Sequence, residues 1–484
     1  MSMRSVDAVL HQRGHWIDGQ LAPSPTTEDI AVENPATEEI VGHVVAGDAT
    51  DVDRAVQAAT RAFPSWRDTP LEERLTLLTR LCDLLDDDTP QLAALVTAEV
   101  GAPVSIAGPA HVGYTSGILR AFVTLARDFE FVAEAGSATV FHEPIGVAGC
   151  ITPWNLPLIL IAQKLGSALV AGCTTVFKPS ELTPFSTLRM AECMAEAGYP
   201  PGVFNVVTGY GPSAGEALVS HPLVRKVSFT GSTRAGRRVG ALAGENLKRV
   251  SLELGGKSAN IVLPDGDLEQ AVVTGSHQAC FNAGQSCIAW SRLLVPADRL
   301  ADATDLAAKA LGAMSVGDPL DPSTDIGPLV SAQAAERVRN YIAKGIEEGA
   351  RVAVGGPERL EHLPRGHFVR PTVLTDVRPE MVVAQEEIFG PVLCVIPYRD
   401  EDEAIAIADG TPYGLHGAVW SRDEERALAV ARRLETGMVN VNGYGFDPLA
   451  PFGGYKQSGV GREMGVAGLQ EFLQVKAVQC FAAG

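Results

Sequence analysis

Closely spaced cysteines are missing from this sequence of 484 residues. Its eight cysteines are scattered, with no CxxC pair and no grouping of cysteine and histidine at the spacing of metal ligands. In a chain of this length an even number of cysteines is no sign of a disulfide framework. We therefore expect reduced thiols, a cytoplasmic protein and no bound metal.

The sequence also lacks a membrane span and an excess of basic residues. Its most apolar run, from Ile145 to Ala162, is interrupted by Pro153, Asn155 and Pro157, and the N-terminus has no apolar signal segment. Lys and Arg number 39 against 58 Asp and Glu, which gives a net charge of −19. Such an acidic chain is poorly suited to nucleic acid or to an anionic membrane surface, so we expect neither partner.

Alternating strands and helices make up most of the chain. Helices are predicted at 50–63, 70–85 and 110–128, and then two series of strands and helices run from Val147 to Leu254 and from Ala259 to Asn442. Strand–helix–strand units form parallel sheets covered on both faces. The sequence therefore predicts two α/β domains joined near residue 255.

Two predicted strands lie outside these series, at 137–143 and 472–481. Free strand edges must be covered, because their unpaired N–H and C=O groups otherwise promote aggregation. We expect the two strands to contribute to a sheet between subunits.

Cys287 lies in the segment Phe281–Arg292, where a helical pattern gives way to a strand pattern. A thiol at such a junction can face a cavity, and we interpret Cys287 as a covalent nucleophile. The alternative, a small buried apolar residue, is equally compatible with this segment alone. No histidine is near Cys287 in the sequence, so a cysteine-protease arrangement has no local support.

Glu253 and Asn155 are suited to assist such a nucleophile. Glu253 ends the first series among apolar neighbours, where desolvation raises a carboxyl pKa and favours a general base; an ion pair with Lys257 is the alternative. Asn155 lies between two prolines at a strand-to-helix turn. Its amide and the Cys287 backbone N–H would hold an oxyanion, or else Asn155 simply caps the helix.

Several segments at strand ends suit a nucleotide. Lys178 and Glu181 follow one strand, at the edge where open parallel sheets bind ligands. Gly231 and Ser232 open a helix, whose free N–H groups favour a phosphate. The turn at 209–215 is a loose match to the dinucleotide fingerprint. Solvated charges and ordinary turn glycines are the alternatives at these positions.

Seven motifs resemble those of the NAD(P)-dependent aldehyde dehydrogenase superfamily. They are Pro153-Trp154-Asn155, Phe177-Lys178-Pro179-Ser180-Glu181, Phe229-Thr230-Gly231-Ser232, Leu252-Glu253-Leu254-Gly255-Gly256-Lys257, Gly284-Gln285-Ser286-Cys287, Glu387-Ile388-Phe389-Gly390-Pro391 and Pro451-Phe452-Gly453-Gly454-Tyr455-Lys456-Gln457-Ser458-Gly459. They keep the family's order over nearly the whole chain, and the separation of 34 residues between Glu253 and Cys287 is also the family's.

The resemblance implies a role for each motif. Cys287 would attack the aldehyde, Asn155 would stabilise the thiohemiacetal oxyanion, hydride would pass to the nicotinamide, and Glu253 would activate water to hydrolyse the thioester. Lys178 completes the implied catalytic set and would bind the adenosine ribose with Glu181. The implied cofactor residues are Thr152, Pro153, Trp154, Lys178, Ser180, Glu181, Gly211, Gly215, Phe229, Gly231, Ser232, Leu254, Gly255, Glu387 and Phe389. The implied substrate residues are Leu156, Leu160, Gln163, Ser286, Ile288 and Phe452, and we expect Trp290 to touch substrate too.

The resemblance also implies an α/β fold of aldehyde dehydrogenase type. We expect a Rossmann-type cofactor domain with a parallel sheet (1–120 and 146–255), an α/β catalytic domain (256–460) and a small β oligomerisation arm (121–145 and 461–484). A homodimer or homotetramer follows from the arm. These boundaries extend the domain prediction made from the strand–helix pattern.

The substrate and cofactor preferences are narrower expectations. Without Arg or Lys at the pocket-facing helix positions 156, 160 and 163, a neutral apolar aldehyde is favoured over a carboxylate-bearing one. Glu181 would repel a 2′-phosphate, so NAD is favoured, with NADP possible. A CoA-acylating semialdehyde dehydrogenase is disfavoured by the presence of Glu253, and a catalytically silent binding protein by the presence of all the reactive groups.

Overall fold

The computed structural model describes residues 10–12, 14–443 and 445–479. Its strands, numbered in chain order, are β1 (Leu10–Gln12), β2 (Gly14–Ile17), β3 (Gln20–Pro23), β4 (Asp29–Asn34), β5 (Glu39–Val45), β6 (Val132–Ala135), β7 (Ala138–Pro144), β8 (Val147–Ile151), β9 (Thr174–Lys178), β10 (Phe204–Val206), β11 (Val224–Thr230), β12 (Arg249–Glu253), β13 (Ala259–Val262), β14 (Arg292–Pro296), β15 (Arg351–Val354), β16 (Thr372–Thr375), β17 (Val392–Tyr398), β18 (His416–Trp420), β19 (Met438–Val441), β20 (Gly459–Val460) and β21 (Leu473–Gln479).

The helices are numbered in the same way. They are α1 (Ala49–Asp68), α2 (Leu71–Asp87), α3 (Thr89–Val100), α4 (Val104–Ile106), α5 (Gly113–Asp128), α6 (Pro157–Ala171), α7 (Phe185–Ala197), α8 (Glu216–Ser220), α9 (Thr233–Glu245), α10 (Leu268–Cys280), α11 (Leu300–Gly312), α12 (Ala332–Glu347), α13 (Val382–Gln385), α14 (Glu401–Asp409), α15 (Glu424–Ala431) and α16 (Gly465–Gln470). π-helical turns precede α5, at Ala107–Val112, and α8, at Gly211–Gly215.

An eight-stranded sheet forms the first α/β layer, in the order β20-β12-β11-β8-β9-β10-β2-β3. Its five central strands run parallel, and they are the strands of the first predicted series. Residues of α6 are buried along its whole length, because this helix packs between the sheet and α2, α5 and α7. The prediction of a parallel sheet covered by helices is confirmed.

A seven-stranded sheet forms the second layer, in the order β15-β16-β17-β14-β13-β18-β19. Every pair in it is parallel except β15 with β16. The strand β16 is short, and its residues Thr372, Val373 and Leu374 pair with β17. Trp290 and Trp420 are among the largest fully buried side chains of this layer.

The strands β1 to β5 and the helix α3 have no counterpart in the sequence prediction. The strands are only three to seven residues long, and such short elements give a weak periodicity. Two of them extend the first sheet, while β1, β5 and β4 form a sheet of their own.

Glu99, in the last turn of α3, caps the start of α7. Its buried carboxylate accepts hydrogen bonds from the backbone N–H of Phe185 at 2.8 Å and of Ser186 at 3.1 Å, and from the Ser186 hydroxyl. These N–H groups have no partner inside their own helix. Burial raises the pKa of Glu99 to about 7, although the hydrogen bonds oppose that rise.

A three-stranded antiparallel sheet, β21-β7-β6, projects as an arm. The strands predicted at 137–143 and 472–481 pair with each other inside one chain, and their contribution to a sheet between subunits stays a prediction. Cys480 and Phe481, the end of the second prediction, lie outside the described residues. The arm sheet keeps apolar side chains in solvent, with Val132 55% and Val475 63% exposed.

The expected domain boundaries stay a prediction, and two elements of the structure bear on them. The strand β20, at 459–460, pairs with β12 in the first sheet, although these positions were assigned to the catalytic domain. Helix α5 spans 113–128 and so crosses the expected boundary at residue 120. After the second sheet, the chain therefore returns to the eight-stranded sheet at β20 before it enters the arm at β21.

Candidate active site

Cys287 lies in a loop whose backbone is held in an uncommon conformation. After α10 the chain passes through Asn282 and Ala283 with φ of 53° and 56°, and then through Gly284 with φ of 72°. A Cβ at Gly284 would collide with the backbone of Gly390, so a side chain is excluded there. The left-handed turn reverses the chain and presents Cys287, which is half-buried, to a cavity of about 480 Å³.

The surroundings of Cys287 are electrostatically negative. Burial raises the pKa of the thiol above its ordinary value, and the carboxylates of Glu387 and Glu253 raise it further. A thiol with a raised pKa is protonated at neutral pH and attacks only after it loses that proton. The surroundings of Cys287 thus favour the protonated thiol over the thiolate.

Asn155 is positioned beside the nucleophile loop by reciprocal hydrogen bonds. Its Nδ2 donates to the carbonyl of Gln285 at 3.0 Å, and Asn282 Nδ2 donates to the carbonyl of Asn155 at 2.9 Å. Asn155 is only 4% exposed. These bonds fix an amide donor next to the backbone that carries Cys287, which is the arrangement that a developing oxyanion requires.

Glu253, at the end of β12, is a buried carboxylate without hydrogen bonds. Neither of its oxygens has a partner among the described residues, and burial raises the pKa of Glu253 well above its ordinary value, with Glu463 raising it further. Gly453, at φ +148°, leaves room for the Glu253 carboxylate, because a Cβ there would lie 2.5 Å from Glu253 Oε1. Among the described residues the alternative ion pair with Lys257 is absent, and the buried Lys257 ammonium has no hydrogen-bond partner there either.

A buried ion pair lies behind Glu253 and was not found from the sequence. Lys164 donates to Glu463 and, at 2.6 Å, to the hydroxyl of Thr230. Ser228 donates to the same Glu463 oxygen at 3.1 Å. A lysine within the wholly buried helix α6 is the signal that would have indicated it, because such a charge needs a partner.

The carboxyl end of β9 carries the first predicted cofactor group. Lys178 is 3% exposed, and its ammonium donates to the carbonyls of Gly209 at 2.6 Å and Pro179 at 2.9 Å and lies 3.4 Å from Glu181. Ser180 caps the following turn through the backbone N–H of Leu182. Lys178 does not line the Cys287 cavity, and its catalytic and cofactor-binding roles stay predictions.

The start of α9 supplies the second cofactor group. Ser232 caps this helix of 13 residues, and Gly231 packs so closely on the ring of Phe229 that a Cβ would lie 2.6 Å from it. Leu254 donates its backbone N–H to the carbonyl of Ser458. In the neighbouring π-helical turn, Gly211 has open space around it, while Gly215 faces the side chain of Lys178.

The third group joins the two α/β layers. Glu387 accepts from the backbone N–H of Gly256 at 3.0 Å and lies against Gly255, where a Cβ would collide with its carboxylate. Phe389, at φ 61°, meets the ring of Trp154 edge to face at 5.4 Å. Thr152 and Pro153 link β8 to this turn, and the Thr152 hydroxyl is buried without a partner.

A cleft of about 810 Å³ is lined by two of the predicted cofactor residues. Trp154 and Ser232 line it together with basic side chains, which are Arg234, Arg337 and Lys344. A helix start and basic residues suit the pyrophosphate of a dinucleotide, and the carboxyl ends of parallel strands are where such ligands bind. The residues present therefore fit an NAD molecule.

All six predicted substrate residues line the cavity that contains Cys287. The sequence analysis missed the other lining residues, which are Ala110, Tyr114, Ile159, Val273, Thr274, His277, Gln278, Phe281 and Phe446. Five of these follow the three- and four-residue spacing of one face of α10 and its end, which is the signal that would have shown them.

Trp290 does not contact this cavity, contrary to the expectation. It is fully buried, and its Nε1 donates to His416 Nδ1 at 3.0 Å. His416 Nε2 lies 2.5 Å from Asn440 Oδ1, and Asn440 in turn donates to the carbonyl of Gly445. The indole therefore links the loop that carries Cys287 to the second sheet, on the side away from the cavity.

Within the described ranges, no group of three or more candidate ligands is arranged to hold a metal ion. No helix in the same part of the chain is long and apolar enough to cross a membrane. A nucleotide cleft at the ends of parallel strands, beside a cysteine and a buried carboxylate, defines a nucleotide-dependent oxidoreductase with a covalent thiol step.

Comparison with known proteins names the family. The aldehyde dehydrogenase family profile matches residues 22–478. A 3-succinoylsemialdehyde-pyridine dehydrogenase of a Pseudomonas species is 48% identical over 467 residues, which cover 96% of this chain and 98% of that one. The chain belongs to the aldehyde dehydrogenase family, and it is an enzyme that oxidises aldehydes with NAD as its cofactor.

Two solved structures show the same fold. A mutant of aldehyde dehydrogenase C from Pseudomonas syringae, in complex with NAD+ and octanal, is 45% identical with a TM-score of 0.96 and 98% coverage of both chains. An aldehyde dehydrogenase of Mycobacterium tuberculosis, in complex with NAD+, is 42% identical with a TM-score of 0.96, covering 99% of this chain and 100% of that one. The predicted fold class and cofactor are confirmed.

Proposed function

We propose that Cys287 is the nucleophile of a hydrolytic aldehyde oxidation and that Glu253 is its general base. The thiolate of Cys287 forms a C–S bond to the aldehyde carbon, and the resulting oxyanion accepts from Asn155 Nδ2 and from the backbone N–H of Cys287. NAD+, when bound, supplies the hydride acceptor. The product on Cys287 is then a thioester.

Glu253 completes the cycle. It takes a proton from water, the water oxygen attacks the thioester carbon, and the C–S bond breaks to release the carboxylic acid and the thiolate of Cys287. A carboxyl group whose pKa is raised by burial is a stronger base than an ordinary one. The observation that carries the proposal is this carboxylate, which has no partner among the described residues. It is close enough to Cys287 for its charge to raise the pKa of the thiol.

The cofactor residues divide by the part of NAD that they bind. Lys178, Ser180 and Glu181 bind the adenosine ribose, and the start of α9 at Ser232 binds the pyrophosphate. Glu387 binds the nicotinamide ribose beside Phe389. Glu181 faces the 2′ position with a negative charge, so NAD is preferred over NADP.

The substrate is a neutral, mainly apolar aldehyde. Among the described residues that line the Cys287 cavity there is no lysine, arginine, aspartate or glutamate. The octanal bound to the Pseudomonas syringae relative and the pyridine named for the Pseudomonas dehydrogenase are uncharged groups of this kind. A reducing compartment such as the cytoplasm belongs to the proposal, since an oxidised Cys287 cannot attack.

Replacing Glu253 by Gln tests the mechanism. Glu253→Gln is expected to produce one equivalent of NADH per site and then to stop, because the thioester forms but is not hydrolysed. The steady-state rate should fall about 10³-fold, within the range for general-base catalysis. Rapid-mixing absorbance at the NADH band measures both phases, with Cys287→Ala as the control that shows neither.

Two results would contradict this assignment. A full steady-state rate in Glu253→Gln would remove the general base from the mechanism. Rescue of turnover by coenzyme A in the wild type, without acid formation in its absence, would instead identify the acylating alternative.

We also propose a homodimer or homotetramer assembled through the arm at 121–145 and 461–484. Support comes from the exposed apolar side chains of this sheet, such as Val475, and from its two outer edges, for which no pairing strand is found among the described residues. Light scattering should give two or four times the chain mass of 51.0 kDa. A mass of one chain at micromolar concentration would overturn the proposal.

A further inference from the structure

Three side chains around the aldehyde cavity carry a polar atom without a hydrogen-bond partner among the described residues. They are Gln163 at Oε1, Gln278 at Nε2 and Ser286 at Oγ. Each is buried, with exposed fractions of 2%, 5% and 4%. All three line the cavity that contains Cys287. Most of the cavity wall is therefore apolar, but three of its side chains can still form hydrogen bonds with a ligand.

Unpaired amides of this kind are uncommon, because burying a polar group without a partner costs stability. A folded protein keeps them where a ligand or an ordered water completes the hydrogen bonds. The two glutamines approach the cavity from different helices, Gln163 from α6 and Gln278 from α10. Two independent elements thus bring unused amides to one cavity.

Gln278 is the better donor of the two. The Nε2 of Gln163 already contacts the sulfur of Met464 at 3.4 Å, which leaves its oxygen as the free atom. The free atom of Gln278 is Nε2, and an amide nitrogen donates only. The group that matches Gln278 is therefore a hydrogen-bond acceptor.

The acceptor must be uncharged. A carboxylate would enter a cavity without lysine or arginine among its described lining residues and would approach the carboxylates of Glu253 and Glu387 near Cys287. A charge without a countercharge is costly to bury. A ketone oxygen or a ring nitrogen accepts a hydrogen bond without that cost.

The mouth of the cavity is aromatic. Tyr114 and Phe446 meet edge to face at 5.4 Å, and Phe281 lines the same wall. Such side chains pack favourably against another ring. The cavity thus combines an aromatic mouth, an amide donor and a thiol.

We propose, building on the function assigned above, that the enzyme selects uncharged aldehydes with an aromatic end and a neutral acceptor, which is a ketone oxygen between that end and the aldehyde or a nitrogen of the ring itself, and that Gln278 Nε2 donates to this acceptor. Gln278 is a specificity-determining residue. It contacts the remote part of the substrate and takes no part in the transfer of hydride or of acyl group.

A matched pair of aldehydes tests the proposal. The two compounds 4-oxo-4-phenylbutanal and 4-phenylbutanal share their carbon skeleton and differ only in the ketone. Wild-type kcat/KM should favour the ketone about tenfold or more, because the analogue leaves the Gln278 amide unpaired. Gln278→Leu should bring the ratio of the two kcat/KM values to about 1, whatever the absolute rates.

Ser276→Ala is the control variant. Ser276 lies on the same helix and its hydroxyl is also buried without a partner, yet it does not line the cavity. Its ratio should equal that of the wild type. Where Gln278→Leu does not fold, Gln278→Met removes the donor in nearly the same shape and should give the same ratio of about 1.

The possible failures are distinct. A wild-type ratio near 1 with good acid formation from both aldehydes overturns the selectivity and leaves the proposed function intact; a water molecule then completes the Gln278 amide. A ratio that persists in Gln278→Leu or Gln278→Met overturns the role of Gln278. If neither aldehyde yields acid, by contrast, the proposed function itself is contradicted.

Discussion

Glu99 and Glu253 are two buried glutamates of the same half of the molecule, and their surroundings are opposite. Glu99 accepts three hydrogen bonds at the start of α7, while neither oxygen of Glu253 has a partner among the described residues. Burial raises the pKa of both. The similar pKa direction therefore says little about role, whereas the hydrogen-bond partners separate a structural carboxylate from a reactive one.

The same contrast extends to whole regions. The two oxygens of Glu99 are both paired within the protein, so a change there acts on folding. Around Cys287 several polar atoms are left unpaired, which include those of Gln163, Gln278 and Ser286. Proteins tolerate such local inconsistency where it serves function, because the ligand completes the hydrogen bonds.

Replacing Glu99 or Glu253 by Leu gives the largest expected difference in stability and activity between the two positions. Glu99→Leu should lower the free energy of unfolding by about 3 kcal/mol or more, because two backbone N–H groups and one hydroxyl lose a buried acceptor. Its activity per folded molecule should stay at the wild-type level. Glu253→Leu should lose hydrolytic activity and keep or increase its stability, since no hydrogen bond is lost and a buried carboxylate is removed.

Urea unfolding followed by circular dichroism, together with steady-state assays, measures both quantities. The wild type and the two variants are compared at one pH. Strong destabilisation by Glu253→Leu would show that this carboxylate has partners, and the contrast drawn here would then fail.

Glu→Gln at the two positions gives a smaller, pH-dependent effect. The folded pKa of Glu99 is about 7 against an ordinary value of 4.5, so its contribution to stability is complete below pH 4.5 and is lost as the pH rises to about 7. The difference is 2.5 units, or about 3 kcal/mol at 1.36 kcal/mol per unit. Relative to Glu99→Gln, the wild type should therefore lose that stability over this window.

For Glu253 the same loss begins above pH 4.5 and continues to a higher pH, since its folded pKa is raised well above that value. The measurement is the urea midpoint at intervals between pH 4.5 and 8, taken for each variant and the wild type. Parallel pH curves for the wild type and Glu99→Gln would show that Glu99 does not titrate in this range.

The regular part of the fold could be predicted from the sequence. The helices predicted at 50–63 and 70–85 correspond to α1 and α2, because long apolar periodicity and clear turn residues mark both elements. The π-helical turn at Ala107–Val112 and the left-handed residues Asn282 and Ala283 could not be predicted. Their conformations are imposed by tertiary packing, against local preference.

The candidate site was predictable to a different degree in its different parts. Motifs pointed to Cys287, Glu253 and Asn155, because reactive groups need particular residue types. The Lys164–Glu463 pair joins positions 299 residues apart, and no local pattern connects them. The role of Trp290 was misjudged because proximity to Cys287 in the chain does not determine which wall a side chain faces.

The closing of the first sheet by β20 has a consequence for synthesis of the chain. Glu253 of β12 pairs with Gly459 of β20, and Lys164 forms its ion pair with Glu463. During translation, Asn155, Glu253 and Cys287 leave the ribosome long before these partners do. Until then β12 remains an open sheet edge and Lys164 has no countercharge. The surroundings of Glu253 are therefore completed only after residues 459–463 have been synthesised.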